Sequence, residues 1–76
     1  MVNEDVAKKL AEKEAEKRDW KCILSVETTN YYVFLPVAKD GELIGNSSSF
    51  AVDKNTGKVD LKHFTEYANE QILKEY

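Results

Sequence analysis

The chain has 76 residues, of which 42% are hydrophobic and 33% charged, and its net charge is −3. This length leaves room for one domain only, and the composition excludes a disordered chain, which would need lower hydrophobicity and higher net charge. The negative balance argues against nucleic acid, whose binding depends on lysine and arginine, and favours a basic protein partner. We expect a single small domain over residues 1–76.

The usual supports of a small domain are missing from this sequence. Cys22 is the only cysteine and His63 the only histidine, so an internal disulfide and a zinc site are excluded. The first residues are acidic where a secretory signal would be basic, and no apolar run is long enough to cross a membrane. We expect a cytoplasmic protein of about 3–5 kcal/mol net stability, to which a partner or a second copy would add.

The first predicted element is an amphipathic helix from Asn3 to about Asp19. Asn3 is a suitable N-cap, and the acids that follow it lie where the helix dipole favours negative charge. Apolar residues recur at every fourth position, and most of the stripe is alanine, which predicts close packing against a sheet. The stripe consists of Val2, Val6 and Leu10 with Ala7, Ala11 and Ala15 beside them.

Two predicted strands follow as a hairpin. Trp20–Thr28 alternates with a period of two, which turns Cys22 towards the core as a small apolar filler; a reactive or intermolecular thiol is the alternative. Tyr31–Ala38 is rich in aromatic and β-branched residues, which favour strands. Pro36 cannot donate a ladder hydrogen bond, so we expect an edge position or a bulge near it. The predicted inward face of the first strand carries Trp20, Cys22, Leu24 and Val26.

The next segment predicts two turns around a third strand. Lys39–Glu42 contains an Asp-Gly pair, which suits a tight turn. Ser48–Asp53 alternates as a strand, and Lys54–Gly57 supplies a second turn. Lys58–Val59 is then predicted to add a short return strand.

The last predicted element is a second amphipathic helix with Asp60 as its N-cap, because apolar residues recur at spacings of three and four after it. The predicted fold is therefore α+β, with an N-terminal helix, a three- to four-stranded antiparallel sheet and a C-terminal helix. The stripe of the second helix consists of Leu61, Phe64, Ala68, Ile72 and Tyr76.

No combination of residues predicts catalysis, a metal site or a cofactor. His63 has no identifiable nucleophile or ligand at a suitable spacing, and the three glycines are too far apart to cradle a phosphate. A calcium loop at Asp53 would need later ligands that the sequence lacks. We therefore expect a protein that is not an enzyme and has no cofactor.

Aromatic residues of the second strand are the candidates for a protein-binding surface, since tyrosine is enriched at interfaces and this strand cannot bury both of its faces if one side of the sheet is open. Nearby acids would suit a basic partner. Packing of these rings into the core is the alternative interpretation. The candidate residues are Tyr31, Tyr32, Phe34, Glu27, Asp40 and Glu42.

The segment from Gly45-Asn46 to Val59 resembles the closing hairpin of the immunity protein 35 family and its YrhB-like relatives. In that pattern a glycine-asparagine pair precedes an apolar strand that ends in aspartate, here Asp53, and the turn continues as Thr56-Gly57. The resemblance implies an intracellular α+β protein that neutralises a toxin by binding it, or a small chaperone-like factor. The hairpin of PepSY-type domains, with the same turn residues, is the alternative resemblance.

We expect a small non-catalytic protein-binding protein, such as an inhibitor, an immunity protein or a bacterial or phage regulatory factor, that binds through its sheet face or strand edge. A homodimeric structural module is one alternative, with homodimer contacts through the sheets or the last helix. The other is a small-ligand-binding domain, which would need an apolar pocket between helix and sheet.

Overall fold

A computed structural model describes residues 1–44, 48–67 and 69–76, which form one helix on a five-stranded antiparallel sheet. The strands lie in the order β4-β3-β2-β1-β5 across the sheet, and the helix packs on β1, β2 and β3. The elements are α1 (Glu4–Glu16), β1 (Trp20–Thr28), β2 (Tyr31–Ala38), β3 (Ser48–Asp53), β4 (Val59–His63), a 3-10 turn (Phe64–Glu66) and β5 (Ile72–Glu75).

Helix α1 begins where the sequence predicts and ends earlier. The Asn3 side chain accepts a hydrogen bond from the Val6 N–H at 2.9 Å, which confirms the predicted N-cap. The helix stops at Glu16 because Asp19, with φ of 60°, turns the chain back into β1. No helix in the described part of the chain is long and apolar enough to cross a membrane.

Alanines on the lower side of α1 bring the helix close to the sheet. Ala7, Ala11 and Ala15 are fully buried, as the predicted stripe requires. They cover Phe34 and Phe50, which lie directly opposite each other on β2 and β3 and are also buried. The core is therefore a thin layer between one alanine face and two phenylalanine rings.

A bulge at Ser25 divides β1 into two parts. Leu24 lies opposite Phe34, but Val26 lies opposite Val33, so one residue of β1 has no partner on β2. Such a bulge reverses the phase of the side chains that follow. The prediction that Val26 shares the inward face with Leu24 was therefore wrong, since Val26 points to the face opposite α1, beside the buried Val33.

Strand β2 is central, although Pro36 suggests an edge. The ladder between β2 and β3 ends at the Phe34–Phe50 pair, so Pro36 lies beyond the last paired residues of these two strands. The Pro36 carbonyl instead accepts a hydrogen bond from the N–H of Ile44 at 3.1 Å. A central strand tolerates this proline because the neighbouring ladder has already ended.

The predicted C-terminal helix is wrong, and two strands take its place. Val59–His63 pairs with β3 as β4, and Asp60 lies opposite Ala51 instead of capping a helix. Leu61 faces Phe50 across the ladder, so the apolar residues of this segment also satisfy the period of a strand. Helix propensity is a weak preference that tertiary pairing overrides. Here the segment pairs with the outer side of β3.

The end of the same predicted helix forms β5 beside β1. The described sheet thus has five strands instead of the predicted three or four. Glu70 anchors the start of this segment, because its carboxylate accepts hydrogen bonds from the Thr28 hydroxyl at 2.8 Å and from the Asn30 N–H at 3.0 Å. Ile72 and Tyr76 of the predicted apolar stripe are about half exposed, and Ala68 lies outside the described residues.

Candidate protein-binding edge and groove

Half of the outer edge of β1 has no neighbouring strand in the described part of the chain. Strand β5 pairs with Val26–Thr28, and the N–H of Tyr76 donates to the carbonyl of Ser25 at 2.9 Å. No described strand lies beside Trp20–Leu24 on that side. The outward N–H and C=O groups of these residues are therefore a template on which another strand could pair. We call Trp20–Leu24 the free edge.

A groove runs along the free edge beneath α1. It consists of two adjoining clefts of about 330 and 300 Å³, which meet at Cys22. Because α1 and β1 run in opposite directions, one end of the groove lies near the end of the helix and the other near its start. We call it the edge groove. Its lining consists of Glu4, Asp5, Lys8, Glu12 and Glu16 from α1, and Trp20, Lys21, Cys22, Ile23, Leu24 and Phe34 from the sheet.

The helix wall of the edge groove is acidic. Four carboxylates line the groove against two lysines. Among the described residues, Asp5, Glu12 and Glu16 take part in no ion pair, whereas Glu14, on another side of α1, pairs with Lys17 at 3.0 Å. The edge groove therefore carries a net negative charge, and three of its carboxylates have no ion-pair partner among the described residues.

Cys22 lies at the middle of the groove floor and against the core, as the alternation of β1 predicts. Burial of the thiol raises the pKa of Cys22 to about 11, and the negative charge of Glu12 contributes in the same direction. The thiol is therefore protonated at neutral pH. A protonated thiol is a weak nucleophile, so this environment favours a packing role for Cys22.

Tyr76 contacts Glu4, which lines one end of the edge groove. Its hydroxyl donates a hydrogen bond to the Glu4 carboxylate at 2.7 Å, across the gap between β5 and the start of α1. That hydrogen bond raises the pKa of Tyr76, because the carboxylate holds the phenol proton. The contact ties the end of the chain to the first turn of the helix, next to Ser25, where the free edge ends.

The aromatic candidates of β2 lie in three different environments. Phe34 is 1% exposed and belongs to the core. Tyr32 faces α1, where the Lys54 ammonium lies 4.9 Å from its ring centroid and pairs with Glu27 at 2.5 Å. Tyr31 lies on the opposite face, with the Lys62 ammonium 5.5 Å from its ring.

The acidic candidates Asp40 and Glu42 lie in the turn after β2. The Asp40 carboxylate accepts a hydrogen bond from the Glu42 N–H at 3.1 Å and holds that turn. This turn and Tyr31 lie at opposite ends of β2. The structure therefore does not bring the six predicted residues together, and their role in binding stays a prediction.

Sequence reasoning missed the free edge, although one signal for the groove is present. Glu4, Lys8, Glu12 and Glu16 are spaced by four, which predicts a single charged row on α1. That this row borders an unpaired strand depends on β5, which the sequence did not reveal. His63 lies outside the groove and contacts the Thr65 hydroxyl at 3.0 Å, and no group of described side chains is arranged to hold a metal ion.

Comparison with known proteins gives no match: no family model fits the chain, and no curated protein or solved structure is significantly similar to it. The resemblance to the immunity protein 35 family stays a prediction, and Gly45-Asn46, which belong to its pattern, lie outside the described residues.

Proposed function

We propose that this chain is a non-catalytic protein-binding domain whose binding site is the free edge together with the edge groove. A partner would add an extended segment to β1 and place its side chains beneath α1. This mode suits an inhibitor, an immunity protein or a bacterial or phage regulatory factor, which act by binding another protein.

The observation that carries this proposal is the unpaired edge at Trp20–Leu24. Soluble proteins usually protect strand edges with charge, proline, a bulge or a covering segment, because an open edge invites pairing. Here the bulge at Ser25 and strand β5 protect only the second part of β1. Addition of a strand to such an edge is a recurrent mode of peptide recognition, in which backbone hydrogen bonds provide affinity.

The test begins with capture of a partner from the cell that encodes this chain, followed by reconstitution of the purified pair. Hydrogen exchange of the complex should then show amide protection at Trp20–Leu24. Tyr31, Tyr32 and the turn at Asp40 should exchange as in the free chain. Protection confined to those last three positions, or no partner in repeated captures, would overturn the proposal.

A homodimeric module is the second candidate, favoured by the exposed apolar residues Ile72 and Leu73 on β5. Light scattering over a range of protein concentrations separates the two. A monomer at high concentration removes the dimer, whereas a dimer whose exchange protection lies at β5 would replace the proposal above.

A further inference from the structure

We propose that the edge groove takes an extended basic segment, a strand in which lysine or arginine alternates with apolar residues. This inference rests on the proposed function, since it names the chemistry of the segment that would pair with the free edge. An added strand would extend both faces of the sheet at the free edge. The inference follows from these two faces, which differ in charge and in polarity.

The face towards α1 selects basic side chains. Alternate residues of a strand beside Trp20–Leu24 would point into the edge groove, against Glu12 and Glu16. Long lysine or arginine stems would cover the apolar floor at Trp20 and Leu24 while their charged ends reach the carboxylates. Carboxylates without a described ion-pair partner gain most from such a contact, because no existing pair has to be broken.

The opposite face selects apolar side chains. Ile23 is 51% exposed there and lies directly opposite Leu35 on β2. Leu43 forms an antiparallel bridge with Val37 on the same face and is also largely exposed. The remaining alternate residues of an added strand would lie beside Lys21 and Ile23, where apolar side chains can contact Ile23 and the aliphatic stem of Lys21. Cross-strand pairs of this kind stabilise a sheet by about 0.2–1 kcal/mol each.

The same charges disfavour a second copy of this chain as the occupant. Two copies paired antiparallel along their free edges would place both α1 helices on one side of the joined sheet. Each acidic row, with Glu12 at its middle, would then face the other across the groove, and each chain carries a net charge of −3. Repulsion between like charges opposes that pairing, so the groove favours a different, basic chain.

The test uses a fluorescein-labelled eight-residue peptide of alternating lysine and valine, followed by anisotropy and by the emission of Trp20 in the groove. Three comparison peptides separate the contributions: one with glutamate in place of lysine, one with the same composition in two blocks, and one N-methylated along its pairing edge. Binding of the alternating lysine peptide should exceed that of each comparison peptide at least about tenfold and weaken with salt.

Matched variants of the chain test the position of the charge. Glu12→Lys should weaken binding of the lysine peptide at least about tenfold, because it reverses a charge inside the groove. Glu66→Lys makes the same change in net charge at an exposed position in the turn after β4, on the far side of the sheet from the groove, and should alter binding by less than about twofold. Both substitutions keep exposed positions exposed, so circular dichroism should show an unchanged fold.

Each other outcome overturns a definite part of the inference. Equal binding of the lysine and glutamate peptides would contradict the basic occupant, and full binding of the N-methylated peptide would contradict strand addition. If no peptide binds under conditions in which the captured partner protects Trp20–Leu24, the inference fails while the proposed function stands. If the partner protects another surface, the proposed function fails as well.

Discussion

The two parts of β1 on either side of the bulge at Ser25 differ in every neighbour except β2. Val26–Thr28 is paired on both edges, and its last residue is fully buried. Among the described residues, Trp20–Leu24 is paired on one edge only, and it borders an acidic groove. The comparison teaches that a single strand can serve the fold at one end and remain available for binding at the other.

The bulge is the physical cause of this division. By inserting Ser25, it turns Glu27 towards α1, where the carboxylate pairs with Lys54. Without the bulge, Glu27 would fall on the face opposite α1 and the ion pair with Lys54 could not form. The paired part therefore gains side-chain contacts at the same point where it gains β5, whereas the free edge depends on the core beneath it.

The largest expected effect concerns that core. Phe34→Ala should cost about 3–5 kcal/mol, because it leaves a cavity opposite Leu24, and a domain of this size would then be largely unfolded. Phe34→Leu should cost only about 1 kcal/mol and still fold. Urea denaturation measures both. Ile23→Thr, on the exposed face of the free edge, is the control. A loss of stability as large as that of Phe34→Leu would contradict the importance of the core face.

The next effect concerns the thiol beneath the free edge. Alkylation of Cys22 at pH 8 should be about 100-fold slower in the native chain than in urea, because the folded pKa is about 11 against an ordinary 9.0. Because the folded chain holds the thiol proton more tightly than the unfolded chain, the stability that the neutral Cys22 thiol contributes is fully present below pH 9. It is lost as the pH rises towards 11. As Cys22 is the only cysteine, the rate reports one site. Equal rates would show that the groove floor is open to solvent.

A smaller effect is expected at the paired end of β1. Thr28→Val keeps the shape of a buried side chain but removes its hydrogen bonds to Glu70 and to the Tyr31 N–H, at 2.8 and 3.1 Å. The loss should be about 1–3 kcal/mol, since buried polar partners are left unpaired. Urea denaturation should show no comparable change for Thr29→Val, which alters an exposed neighbour. Equal losses would mean that the hydroxyl contributes nothing specific.

The smallest effect is expected at the junction of β5 and the groove. Tyr76→Phe removes the hydrogen bond to Glu4 and should change stability at neutral pH by less than about 0.5 kcal/mol, because Tyr76 is about half exposed. Because the pKa of Tyr76 is raised in the folded chain, the stability that its hydrogen bond contributes is fully present below pH 10 and is lost as the pH rises beyond that. Ultraviolet titration should lose one late-ionising phenol in the variant. An unchanged titration would contradict the bond to Glu4.

The candidate site was only partly predictable from the sequence. The spacing of Glu4, Lys8, Glu12 and Glu16 places one charged row on α1, and the alternation of β1 places Cys22 beneath it. The predicted tyrosines share one strand, but neighbours in a strand point to opposite faces, so Tyr31 and Tyr32 could not form one surface with each other. The free edge itself depends on which strands pair, and that is a property of the whole sheet.

What the sequence determined by itself is local. The cap at Asn3, the alanine stripe, the first three strands and the turn at Asp53–Gly57 follow from residue types at fixed spacings, because their hydrogen bonds and periodicity lie within a few residues. Only the tertiary structure decided the rest. The apolar residues after Asp60 fit both a helix and a strand, and the unpaired edges of β3 and β1 decided the outcome, because backbone pairing across the sheet outweighed the weaker helical preference.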